Sequence, residues 1–186
     1  MHRLFRGIVT GAFVALAGCT TVQPFDPVAD KLSSSDLTLA TQTFREVCLD
    51  TLPDFSQVNA VATAREFEPL SIPGQGRFAA QTYRTNLKSV IALTARFDES
   101  TPVCGVAFLG PDDDKRVQDA FVATTTRALG GQPRAKLRAS QDDAAYHLRN
   151  QSMMIFEARA KSDGASHYVY LTPPISREEA ERIVAP

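Results

Sequence analysis

Three stretches near the C-terminus decide the fold: Ala144-Ala145-Tyr146-His147-Leu148, Met153-Met154-Ile155-Phe156-Glu157-Ala158-Arg159-Ala160 and His167-Tyr168-Val169-Tyr170-Leu171. Each is of strand length and rich in apolar and aromatic residues. Turn formers separate them at residues 149–151 and at Asp163-Gly164. They read as an antiparallel meander. With the first turn at 149–151, His147 falls opposite about Met153; with Asp163-Gly164 centring the second, His167 falls opposite about Ala160. In that register Ala144, Tyr146, Leu148, Met154, Phe156, Ala158, Val169 and Leu171 share one face, which reads as core. Met153, Ile155, Glu157, Arg159, Tyr168 and Tyr170 share the other. That second face is amphipathic, two tyrosines beside a charged pair. Tyrosine, methionine and arginine are enriched at protein interfaces, so these six residues form the candidate interaction face. The alternative is that a helix or the N-terminal segment covers the face within the monomer.

Working outward, Ser176 and Glu179 have capping-box spacing for a final helix, with Ile175 placed to staple onto Ala180. Residues 134–138 read as a short exposed strand ahead of the meander. Before them Asp112, Asp113 and Asp114 open a long helix whose stripe is Val117, Ala120, Phe121, Thr124 and Ala128, closed by Gly130-Gly131 and Pro133. Residues 103–109 are a nearly unbroken apolar run, the pattern of a central strand. Residues 78–84 and 89–97 read as a hairpin around Asn86, and Pro69, Pro73, Gly74 and Gly76 mark a loop. Leu37, Ala40, Phe44, Val47 and Cys48 recur at helical spacing, after serines able to cap the helix. Asp54 and Gln57 have capping-box spacing for a second short helix with Phe55, Val58, Val61 and Ala62 on its apolar side. The order is α-α-β-β-β-α-β-β-β-β-α. Strands in runs predict an α+β domain with a mainly antiparallel sheet, not a doubly wound parallel one. Two β-run-then-helix halves hint at duplication without a residue-level repeat.

The chain has 186 residues, of which 44% are hydrophobic and 22% charged, with a formal net charge of −1. These values exclude a disordered chain, a collagen and a polybasic nucleic-acid binder. Apolar residues are pooled in one N-terminal stretch only, which excludes a polytopic membrane protein. That stretch begins with Arg3 and Arg6 and continues as an uncharged, mostly apolar run over residues 7–15, too short to span a bilayer core of about 30 Å. A basic start, a short apolar run and small residues at its end make a secretory signal.

The signal ends Leu16-Ala17-Gly18-Cys19, which resembles the lipobox of bacterial lipoproteins. The resemblance covers only this region and implies cleavage before Cys19, with a diacylglyceryl group on the thiol. One acyl chain anchors marginally, and two or three anchor effectively permanently. Thr20 stands where an Asp often marks inner-membrane retention in this family, so the resemblance implies the periplasmic side of the outer membrane. Losing residues 1–18 removes two arginines and no acid, which moves the net charge from −1 to −3. Residues 20–35 contain Pro24, Pro27 and three serines, lack helical or strand periodicity, and read as a flexible tether. The expected organisation is therefore a signal peptide at 1–18, a lipidated N-terminus and tether at 19–35, and one domain at 36–186.

With Cys19 used for lipid, Cys48 and Cys104 remain, one on the apolar face of the first helix and one in the central strand. In an oxidising compartment they are expected to pair. The bridge closes a loop of about 57 residues, worth about 4 kcal/mol in the chain-entropy description. The alternative is two separate buried thiols.

No catalytic constellation emerges. There is no Gly-x-Ser-x-Gly elbow, and Gly74-Gln75-Gly76-Arg77 lacks both the Lys-Ser/Thr of a phosphate loop and the third glycine of a dinucleotide fingerprint. Asp112, Asp113 and Asp114 lack the alternate spacing and later glutamate of a calcium loop, and acids there complement a helix N-terminus. His147 and His167 differ by seven residues along the middle strand, about 23 Å at 3.3 Å each, too far to share a metal. The sequence therefore predicts no cofactor, no metal site and no nucleic-acid partner. It predicts a membrane-anchored envelope lipoprotein acting as a non-enzymatic protein-binding or assembly module, with an envelope protein as partner. The alternative function is a small envelope hydrolase with an atypical site near His147 or His167.

Overall fold

The computed structural model describes residues 36–71, 81–84, 90–96, 101–137, 144–161 and 164–184. The signal, lipobox and tether lie outside the described residues, as do the turn around Asn86 and the Gly74–Arg77 turn.

Val103 to Phe108 are buried without a break, as a strand must be when both faces of its sheet are covered. This run is part of β4 (Pro102–Gly110), which sits at the middle of an eight-stranded sheet ordered β1-β2-β3-β4-β8-β7-β6-β5. The first meander is β1 (Glu68–Ser71), β2 (Gln81–Arg84), β3 (Val90–Arg96) and β4; the second is β5 (Ala135–Leu137), β6 (Ala144–His147), β7 (Met153–Lys161) and β8 (Gly164–Leu171). Every neighbouring pair is antiparallel, and the two meanders join through their last strands, with Val106 opposite Val169. The domain is thus α+β with an antiparallel sheet, in the expected order. One further strand, β1, precedes the hairpin where a loop was read from Pro69. It lies at the sheet edge, where a proline without an N–H is tolerated.

One face of the sheet carries α1 (Leu37–Phe44), a π-helical continuation (Arg45–Leu49), α2 (Val58–Ala64) and α3 (Asp114–Leu129). Phe121 of α3 anchors this layer, with its ring 5.2 Å from Phe44, 5.7 Å from Phe108 and 6.0 Å from Phe156. The α3 stripe is Val117, Phe121, Thr124 and Thr125, while Ala128 is exposed. The two buried threonines satisfy their hydroxyls on the carbonyls of Ala120 and Phe121. Asp113 caps α3 by accepting from the Arg116 N–H at 3.0 Å, and Gly130, at φ 72°, closes it.

The first helix is capped by Asp36, which accepts from the Thr38 N–H, rather than by the preceding serines. Its π-helical end turns Val47, Cys48 and Leu49 inward together. There Cys48 is joined to Cys104 of β4 by a disulfide, with Cα atoms 5.5 Å apart. The second helix departs from its expected start. Asp54 accepts from the Ser56 N–H at 2.9 Å and closes a turn, so no capping box forms and α2 begins at Val58. That hydrogen bond holds the Asp54 carboxyl below its ordinary value.

The opposite face carries α4 (Arg177–Val184), capped by Ser176, whose hydroxyl accepts from the Glu179 N–H at 3.1 Å. Ile175 and Ala180 are buried together there, as the staple predicts. Gly105 of β4 is required on this face. A Cβ built on it would lie 2.8 Å from the Val169 carbonyl and 2.9 Å from the Tyr170 ring. Gly105→Ala is therefore expected to lower stability by about 1–3 kcal/mol, the cost of overpacking, measured by denaturant unfolding; an unchanged midpoint would refute this reading of the close approach.

Candidate functional site

The six residues of the candidate interaction face come from β7 and β8, with Ile155 opposite Tyr170 and Glu157 opposite Tyr168. The β6–β7 register is as expected, His147 facing Met153. At the next turn the register differs. Lys161 pairs with Gly164, so the connection is the two residues 162–163, and His167 faces Ala158 rather than Ala160. A shift of two residues preserves which face each side chain occupies. The division of residues between the faces therefore stands.

What changes is the environment of the second face. Met153, Ile155, Tyr168 and Tyr170 are 0%, 3%, 3% and 3% exposed, so four of the six residues lie inside the protein. They form a second core layer with Ile91, Leu93, Val103, Ala107 and Ala145. The small residues of β4 make room for the rings: Gly105 lies opposite Tyr170 and Ala107 opposite Tyr168. The two tyrosine rings lie 6.3 Å apart and 14° from parallel. Glu157 is half-buried and Arg159 exposed. The Arg159 guanidinium sits 4.9 Å from the Tyr168 ring centre and 3.7 Å from Glu157, joining a cation–π contact to an ion pair at the edge of the buried layer. Arg159 is thus the member of the group that is presented to solvent.

The two histidines lie on opposite faces. His147, on the α4 side, has Nε2 3.4 Å from the Ile175 carbonyl, linking the end of β6 to the start of α4. His167, on the α3 side, has Nε2 2.9 Å from the Pro111 carbonyl. A carbonyl only accepts, so Nε2 carries the proton and donates it. Nδ1 is then turned to the Asp114 carboxylate at 3.7 Å, and the ring stacks on Phe108 at 5.3 Å. The cleft beside it, lined by Asp114, Val117, Gln118, Phe156 and Ala158 among others, has room for no more than a single water. The His167–Pro111 hydrogen bond ties β8 to the turn that leads into α3. The levels of the two histidines differ by five residues along β7, about 16 Å at 3.3 Å per residue, and the sheet separates them.

Sequence reasoning missed two features that shape this region. The Asp114–His167 pair spans 53 positions and carries no local signal. The Gly105–Tyr170 approach had one, a glycine inside an otherwise apolar strand, which often marks a close backbone contact. No protein-family model, no curated protein and no solved structure matches this chain.

Proposed function

We propose that this protein is a lipid-anchored lipoprotein of the bacterial envelope, held at the periplasmic side of the outer membrane, whose α+β domain is a non-enzymatic protein-binding or assembly module. The observation that carries the reading is the order of a basic start, a short apolar run and Leu16-Ala17-Gly18-Cys19. The Cys48–Cys104 disulfide supports it, because such bonds persist in oxidising compartments. A binding role draws support from the histidines over the hydrolase alternative. Each imidazole is buried and engaged on a backbone carbonyl, which leaves neither placed as a base for a substrate. Thr20 after the lipidated cysteine supports the outer membrane as the destination.

The partner is an envelope protein, and Arg159 is the place to look for it. A photo-reactive residue at position 159, activated in cells, is expected to capture one dominant envelope protein. Recovery of only lipid and bulk porin would overturn the binding role.

A further inference from the structure

We propose that the corner where α3 ends and β5 begins is a docking surface for an acidic, extended segment of a protein partner. This deepens the binding role proposed above and rests on it in one respect, that the domain meets a protein. It depends neither on Arg159 nor on the lipid anchor. Residues 120–137 and 144–156 hold four cations, Arg127, Arg134, Lys136 and Arg149, and no Asp or Glu. All four are exposed. They are scattered in sequence, and the fold gathers them. Arg127 lies in the last turn of α3. The Arg149 side chain, from the turn between β6 and β7, lies over Gly131 just beyond that helix, its Nε 2.5 Å from the place a Cβ would take. The Arg134 N–H donates to the His147 carbonyl at 2.8 Å, beside the same end of β6. Lys136 faces Tyr146 across the β5–β6 pair, with Nζ 5.6 Å from the ring centre, and the Tyr146 hydroxyl reaches Gln118 of α3.

None of these four side chains meets a carboxylate among the described residues, whereas Arg65, Lys115, Arg159, Arg177 and Arg182 each do. Local roles explain part of the cluster. A cation in the last turn of α3 complements the helix dipole, and a lysine on the edge strand β5 discourages pairing between copies. Neither role covers Arg134 and Arg149. In a chain of net charge −1, these cations make one corner locally positive. Charge and spacing then select the occupant. Lys136 set against Lys136 opposes a second copy at this edge. Arg134 and Lys136 stand two residues apart, about 6.8 Å at 3.4 Å each, which is also the spacing of alternate carboxylates in an extended chain. Three of the four cations are arginines, whose planar fork takes a carboxylate on two donors. A bilayer fits less well. Surface membrane binding is strengthened by aromatic and leucine side chains that insert, and the exposed uncharged neighbours here include Ala123, Ala128 and Gln132.

The test uses the full chain in neutral detergent micelles and a fluorescent peptide with glutamate at every second position. Anisotropy is expected to show binding that weakens roughly tenfold when Arg134→Glu and Lys136→Glu are combined, and several-fold for Arg149→Glu alone, a variant that leaves the edge strand untouched. Arg177→Glu, on α4 at the other sheet face, is expected to bind as the parent does. Equal loss in all these variants, or equal binding of a peptide with glutamine in place of glutamate, would overturn the proposal. Displacement of the peptide by phosphatidylglycerol added to the micelles at equal charge would assign the corner to a bilayer and overturn it too. In cells, a photo-reactive residue at position 136 is expected to capture a partner through an acidic segment, and capture through a segment without acids counts against the proposal. Capture from position 159 with none from 136 would remove this corner and leave the binding role standing, whereas capture from neither position removes both.

Discussion

Cys19→Ser is expected to move the protein from the membrane fraction to the soluble extracytoplasmic fraction almost completely. Each buried methylene contributes about 0.8 kcal/mol, and a chain of myristoyl length gives only marginal, reversible binding. Two or three chains on one cysteine exceed that several times over, so their loss is nearly all-or-none. The apolar run over residues 7–15 is too short to span about 30 Å, and among the described residues no helix is long and apolar enough to cross a membrane. Fractionation followed by a high-salt wash reads the outcome. A serine variant that stays with the membrane would overturn the lipid anchor as the means of attachment.

The second large effect concerns the bridge between the π-helical end of α1 and the central strand. Replacing both Cys48 and Cys104 with alanine is expected to cost about 4 kcal/mol, the chain-entropy value for a loop of this length. For a domain of this size, that lowers the melting temperature by roughly 8–16 °C. Both residues are fully buried in the core cluster around Phe44 and Phe108. Alanine keeps the site apolar, so the loss falls mainly on the cross-link and on a small packing defect. Calorimetry of the double variant measures the shift, and intact mass without reductant should find the parent two hydrogens lighter than its reduced form. A melting temperature unchanged within a degree would mean that the bond contributes nothing to stability.

Several parts of the molecule were legible residue by residue. Val103 to Leu109 read as a central strand because an apolar run without alternation has no face left for water. The capping of α3 by Asp113 and of α4 by Ser176 was readable because a cap is satisfied by a side chain two or three positions away. Asp54 shows the limit of that logic. Its spacing to Gln57 fits a capping box, but the Ser56 N–H is nearer and takes the carboxylate first. The Asp163-Gly164 signal placed the turn but missed its register by two residues, because either residue can end the loop.

The candidate interaction face shows where local reading stops. Alternation assigned Met153, Ile155, Tyr168 and Tyr170 to one side of the sheet correctly, since side chains in a strand alternate strictly. It carried no information on what lies over that side. The same pattern suits a surface that meets a partner and a layer sealed by its own chain.

From the order of residues alone came the α+β class, most of the elements and the two cysteines that pair, because each of these is written in spacing along the chain. Only the tertiary structure decided that β4 lies against β8, that His147 and His167 stand on opposite faces, and that the tyrosine layer is interior. Those outcomes depend on contacts between residues far apart in sequence. Strand pairing across such distances is chosen by how whole faces bury together, and no local period records that choice.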